Sequence, residues 1–166
     1  MAILEQQVAS GQRTLLLGVS FALLDLAEQH PMNLGNIRIM ETGGMKGRRS
    51  EMTREQLHTA LKDAFHVEKI YSEYGMTELL SQAYTDGSEL FAPPSWMKAL
   101  IRDPYDPLTL LTGGAAGAIN IIDLANIYSC SFIATGDLGR VLPDGRFTVL
   151  GRMDQSEIRG CNLMVE

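Results

Sequence analysis

The spacing of apolar and polar positions changes part-way along the chain. Residues 14–18 form an apolar run of strand length, fit for a buried strand. Ser20 is placed to cap a helix over residues 20–29, which His30-Pro31 would stop. Residues 36–40 make a second apolar run and lead into Glu41-Thr42-Gly43-Gly44. Thr53-Arg54-Glu55-Gln56 has the form of a capping box, in which the first and last side chains satisfy each other's backbone N–H. Behind it Leu57, Ala60, Leu61, Ala64 and Phe65 recur on one helical face. Residues 68–74 predict a third strand, closed by Gly75. Strands separated by helices are joined by connections long enough to cross over, so these strands are expected to be parallel.

From residue 80 onward the runs shorten and tight turns take over. Asp86-Gly87 and Asp144-Gly145 are both hairpin signals. Residues 118–124 are apolar enough for a core strand, and residues 147–150 lead to Gly151-Arg152. Pro93-Pro94, Pro104 and Pro107 mark loops. The expected fold is α/β: a parallel βαβ segment over residues 1–79, an antiparallel β-rich subdomain over 80–152, and a hinge or tail over 153–166.

Composition narrows the class. The 166 residues are 45% hydrophobic and 20% charged, enough for one domain with a core. A net charge of −6, with no basic run longer than Arg48-Arg49, argues against a nucleic-acid binder. Cys130 and Cys161 make neither a disulfide framework nor a cysteine-based zinc site, and reduced thiols fit a cytoplasmic protein. Cys130, between two serines, reads as a core residue. No basic leader precedes Glu5, and Asp25 ends the most apolar stretch before it could span a bilayer. His30, His58 and His66 lack metal spacing; His58 and His66 are expected to face solvent or flank the core. No Gly-x-Ser-x-Gly elbow is present. The glycines of Thr112-Gly113-Gly114-Ala115-Ala116-Gly117 fit a tight turn better than a dinucleotide loop. Glu51, Glu55 and Asp63 read as a solvated helix face.

In a parallel sheet, ligands bind outside the C-terminal ends of the strands. Two glycine-bearing loops leave predicted strands there: Glu41-Thr42-Gly43-Gly44 and Tyr74-Gly75-Met76-Thr77-Glu78. Glycine admits a ligand close to the backbone. Tyr74 offers a flat face for a base, Thr77 a hydroxyl for a phosphate, and Glu78 hard oxygens for Mg²⁺. Turn glycines and a surface glutamate are the better account of either loop taken alone.

Three segments then follow in order: Tyr74-Gly75-Met76-Thr77-Glu78, Thr135-Gly136-Asp137 and Gly151-Arg152-Met153-Asp154. In this order they resemble the core motifs of the adenylate-forming superfamily, which includes acyl-CoA synthetases, firefly-type luciferases and peptide synthetase adenylation domains. The resemblance covers residues 14–166 and implies the C-terminal half of that superfamily's N-terminal catalytic domain. It implies ATP and Mg²⁺ as cofactors and a fatty or other carboxylic acid as substrate. Gly43, Gly44 and Tyr74 would line the adenine, and Gly75 would belong to the same cofactor-binding set. Thr77 would touch the α-phosphate, Glu78 would hold Mg²⁺, Asp137 would accept the ribose hydroxyls, and Arg152 would meet ribose or phosphate. Asp154 matches the family's hinge.

Within the superfamily, residues 16–24, Ile122-Asp123-Leu124-Ala125-Asn126 and Ser156-Glu157-Ile158-Arg159-Gly160-Cys161 look most like the acyl-protein synthetase branch of bacterial bioluminescence systems. That likeness implies acyl transfer to Cys161, with Arg159 favouring its thiolate, and an acyl-carrier or reductase protein as partner. A small buried apolar residue is the other reading of Cys161. The sequence departs from the family in three ways. Residues 1–40 hold no Ser/Thr/Gly-rich phosphate loop with a lysine. Ile133 and Ala134 replace the usual aromatic and basic positions. Glu157 and Ile158 stand near where a lysine is usual. An acyl- or aryl-CoA ligase fragment and a non-catalytic nucleotide- or acyl-binding module are the competing expectations. An open sheet edge would favour a homodimer.

Overall fold

The computed structural model describes residues 2–44 and 52–153. Glu51, Asp154 and Cys161, and with them the tail and the proposed acyl acceptor, lie outside the described residues. The chain divides into two compact units, Met1–Met76 with Tyr84–Ser88, and Thr77–Ala83 with Glu89–Glu166.

The first unit contains α1 (Ala2–Ser10), β1 (Thr14–Val19), α2 (Ser20–Gln29), β2 (Ile37–Thr42), α3 (Arg54–Phe65) and β3 (Ile70–Tyr74), followed by the short β4 (Ala83–Tyr84). Strand order is β1-β2-β3-β4, and β1–β2 and β2–β3 are parallel, as the alternation of strands and helices predicts. Alternation along β2 sends Ile37, Ile39 and Glu41 inward. The two isoleucines join Leu23, Leu24 and Ala27 of α2, Leu57, Leu61 and Phe65 of α3, and Ile70 of β3 in one core.

The capping box forms as expected: the Gln56 N–H donates to Thr53 Oγ1 at 3.2 Å, and the Thr53 N–H donates to Gln56 Oε1 at 2.9 Å. Two expectations change. Alternation sends Leu16 of β1 to the core, while Leu15 and Leu17, 53% and 52% exposed, stand beside Arg38 and Met40 on the face that α2 and α3 do not cover. Ser20 does not cap α2: Val19 holds the cap position without a side-chain bond, and the Ser20 hydroxyl is engaged elsewhere. The spacing predicts no helix before residue 14; among the described side chains of α1, only Leu4 and Val8 are apolar residues packed on the core.

The second unit is an antiparallel sheet of β5 (Met97–Arg102), β6 (Leu110–Leu111), β7 (Gly117–Asp123), β8 (Phe132–Val141) and β9 (Phe147–Arg152), in the order β6-β5-β7-β8-β9. Met97, Ala99, Ile101, Ile119 and Ile121 fill its interior. The Phe91 and Phe147 rings stack with centroids 5.5 Å apart. Asp144-Gly145 turns the β8–β9 hairpin, with Gly145 at φ +87° and the Leu142 N–H on the Arg146 carbonyl at 2.8 Å.

Asp86-Gly87 is not a hairpin. Its strand, β4, pairs back with β3, and the turn is a bend in which the Ser88 N–H donates to Asp86 Oδ1. Gly113 and Gly114, at φ +71° and +78°, make the tight turn read from the sequence. Cys130 is exposed, with Sγ 3.2 Å from the Phe132 carbonyl, so it is a surface thiol and not a core residue. No helix among the described residues is long and apolar enough to cross a membrane.

Candidate functional site

In the first unit the candidate residues gather at the C-terminal ends of β2 and β3. Gly43 turns the chain at φ +70°, and Gly43 and Gly44 are both exposed. A side chain on Gly44 would meet nothing within 4 Å, so open space adjoins the backbone there. Tyr74 ends β3 and is only 7% exposed, which leaves little of its ring open as a stacking surface.

Beneath this loop lies a polar cluster that the sequence did not reveal. Glu41 is 4% exposed. Ser20 donates to its Oε2 at 3.0 Å, and His58 Nε2 and Arg54 Nε both lie 3.6 Å from its Oε1. Burial pushes the Glu41 carboxyl up, but the hydrogen bonds from His58 and Ser72, the Arg54 charge and the Ser20 hydroxyl outweigh it and hold the group below its ordinary value. The Ser20 oxygen is also 3.2 Å from the Gly43 carbonyl, which ties the buried carboxylate to the glycine loop.

Ser72, His58 and Glu41 are not a catalytic triad. Serine and carboxylate meet the same ring nitrogen, His58 Nε2, whereas a relay uses both nitrogens. Ser72 is also fully buried. His58 therefore flanks the core, as a buried member of this cluster.

In the second unit Thr77 and Glu78 are exposed, and the segment that follows them is pinned from below. Asp123, with no exposed surface, accepts from the Leu80 N–H (3.0 Å), the Ser81 N–H (2.9 Å), the Ser81 hydroxyl (2.7 Å) and the Ala125 N–H (3.1 Å). Burial raises this carboxyl, and the bonds from Ser81, Ala125 and Leu80 together hold it below its ordinary value. Asn126 donates to the Glu78 carbonyl at 2.8 Å, and Trp96 Nε1 donates to Ser81 Oγ at 2.9 Å. The Glu78 main chain is thus fixed while its carboxylate has no partner among the described residues. An exposed carboxylate on a fixed backbone suits one position of an Mg²⁺ shell that waters and substrate phosphates complete. Among the described residues no three metal-ligating side chains come together.

The other two motifs are adjoining irregularities of the same sheet. Ala118 pairs with Leu138 and Asn120 with Ala134, so Thr135, Gly136 and Asp137 of β8 stand opposite Ile119 alone. The Thr-Gly-Asp motif is thus a β-bulge, a device that re-aims side chains. On the other side of β8, Leu138 pairs with Gly151 and Gly139 with Val149, leaving Leu150 as an extra residue of β9. Gly151 takes φ +152° there. The two irregularities bring Asp137 opposite Arg152, with Nε 3.6 Å from Oδ1. Asp137 is largely covered and the Arg152 side chain is 83% exposed, leaving the guanidinium open to an anion. A carboxylate paired with an exposed guanidinium can accept vicinal hydroxyls and neutralise a nearby phosphate.

A parallel α/β unit and a bulged antiparallel sheet are also the fold of part of several solved CoA ligase structures. ATP-bound MatB from Rhodopseudomonas palustris is similar over 91% of this chain and 32% of that chain, with 20% identity and a TM-score of 0.64. The anthranilate CoA ligase AuaEII in complex with anthranoyl-AMP matches over 91% and 32%, with 18% identity and a TM-score of 0.59. A benzoate CoA ligase from Burkholderia xenovorans LB400 matches over 91% and 33%, with 18% identity and a TM-score of 0.56. The chain spans about a third of the length of these solved structures. No protein-family model and no curated protein matches the sequence.

Proposed function

We propose that this chain carries nucleotide-binding elements of an ATP-dependent ligase that activates a carboxylic acid as its acyl-adenylate and passes the acyl group to a thiol, as in acyl- and aryl-CoA ligases. The observation that carries this reading is the pair of adjoining irregularities that bring the Asp137 carboxylate to 3.6 Å from Arg152 Nε, formed by the same segments whose order matches the superfamily. The CoA acceptor is supported by solved structures of like fold that are CoA ligases.

In the proposed reaction a carboxylate oxygen of the acid attacks the α-phosphorus of ATP, and the bond to the bridging oxygen breaks so that pyrophosphate leaves. The thiolate sulfur then attacks the acyl carbon and AMP leaves. The charge that builds on phosphorus calls for donors and cations already in place. Thr77 serves the α-phosphate and Arg152 the ribose or phosphate; Asp137 accepts the ribose hydroxyls. Gly43, Gly44, Tyr74 and Gly75 serve the adenine. Glu78 is the residue to hold Mg²⁺, which would neutralise phosphate charge.

An NMR titration with AMP and ATP tests the assignment. Shifts are expected at Gly43, Gly75, Asp137 and Arg152, and shifts confined to other residues would refute it. A second reading, transfer to Cys161, is favoured by the likeness of Ser156-Glu157-Ile158-Arg159-Gly160-Cys161 to the acyl-protein synthetase branch. Mass spectrometry of a full-length ligase containing these residues, after incubation with ATP, carboxylic acid and CoA, separates the two: free acyl-CoA supports the first, and a thioester on Cys161 the second.

A further inference from the structure

Arg102 ends β5 and is 7% exposed, although alternation places it on the same face as the exposed Lys98. Its guanidinium is spent on the Thr-Gly-Asp bulge. Nη1 donates to the Ile119 carbonyl at 2.8 Å and to Asn120 Oδ1 at 2.6 Å, and Nη2 donates to the Thr135 carbonyl at 2.8 Å. All three acceptors are uncharged. A buried charge is expensive unless it is paired, so an arginine held only by neutral oxygens calls for a reason beyond packing.

The bulge supplies one. Inside the β7–β8 ladder Ile119 is skipped, so its carbonyl needs other donors. Arg102 fills one lone pair, and Thr135 Oγ1 fills the other at 2.9 Å. Thr135 Oγ1 in turn accepts the Asp137 N–H at 3.2 Å. A chain of bonds therefore runs from Arg102 through Ile119 and Thr135 to the backbone of Asp137. A planar fork reaches acceptors on two strands at once, which a lysine ammonium cannot reproduce.

We infer that Arg102 is a positioning residue for ribose recognition, holding the β8 bulge in the shape that sets the Asp137 carboxylate beside Arg152. This rests on the reading that Asp137 accepts the ribose hydroxyls. Arg102 touches no nucleotide itself; it fixes the strand that does.

The test is the ratio of affinities for ATP and 2′,3′-dideoxy-ATP, measured by NMR titration of the chain and of Arg102→Met, Arg102→Lys and Asp137→Asn. The unsubstituted chain is expected to prefer ATP by about tenfold or more, the worth of hydrogen bonds to a charged group. Asp137→Asn should remove most of that preference. Arg102→Met should bring the ratio to within about threefold of unity while dideoxy-ATP affinity stays within about twofold. Arg102→Lys, which keeps the charge but not the fork, should fall between, and it carries the test if the Met variant does not fold. A ratio unchanged in both Arg102 variants overturns the inference and leaves the ribose reading intact. So does loss of both nucleotides by one common factor, which marks a purely structural arginine. If the unsubstituted chain and Asp137→Asn share the same ratio, the ribose reading fails and the inference falls with it.

Discussion

At the level of single residues, Glu41 of β2 is held by partners from two helices, Ser20 of α2 and Arg54 and His58 of α3. Tyr74-Gly75-Met76-Thr77-Glu78 and Thr135-Gly136-Asp137 can be picked out as motifs from a few consecutive letters. Glu41 cannot: its partner Ser20 lies 21 positions away, and each looks like an ordinary strand or helix residue. The same holds for Asp123, which is 42 positions from the serine it holds. Glu41 also makes the clearest prediction. Its folded pKa lies below the ordinary value of 4.5, so its contribution to stability is complete above that value and is lost as pH falls through the folded pKa. Glu41→Gln leaves Arg54 and His58 without a buried carboxylate and should lower unfolding free energy by about 3 kcal/mol near pH 7. In urea denaturation the gap between the two proteins should narrow as pH falls below 4.5 and through the lower folded value. A gap that stays constant over that range would show that the charge of Glu41 does not matter.

Secondary-structure elements were read well when their signals were complete within them. The capping box at Thr53 and the Asp144-Gly145 turn are satisfied by atoms a few residues apart, and both form. Asp86-Gly87 has the same letters, but its strand finds its partner earlier in the chain, which no dipeptide specifies. The apolar run of β1 predicts a strand buried on both faces, yet only the face toward α2 and α3 is covered, and Leu15 and Leu17 stand open on the other. Two substitutions test these accounts by thermal or chemical denaturation. Thr53→Ala removes a cap acceptor and should cost about 1 kcal/mol; a cost near zero would mean that the box is incidental. Gly139→Ala should cost about 1–3 kcal/mol, because a Cβ would collide with the Thr148 carbonyl and the Ile119 side chain where β8 meets β7 and β9. Wild-type stability in that variant would show that the strands there are not so closely packed.

For the molecule as a whole, the matched region sets what the chain should bind. It spans about a third of the solved ligases of like fold. The proposed roles of its residues cover adenine, ribose, the α-phosphate and one metal carboxylate. Residues 1–40 contain no Ser/Thr/Gly-rich segment with a lysine to receive the outer phosphates. The net charge of −6 repels a polyphosphate more than a monophosphate. Without divalent metal, AMP should therefore bind this chain as tightly as ATP or tighter, and raising salt should narrow any difference. Adding Mg²⁺ should strengthen ATP more than AMP, and Glu78→Gln should abolish that gain. A tenfold preference for ATP without metal, equivalent to about 1.4 kcal/mol, would reveal a receptor for the outer phosphates that this assignment omits. Pyrophosphate exchange by the 166 residues at a rate typical of complete ligases would do the same.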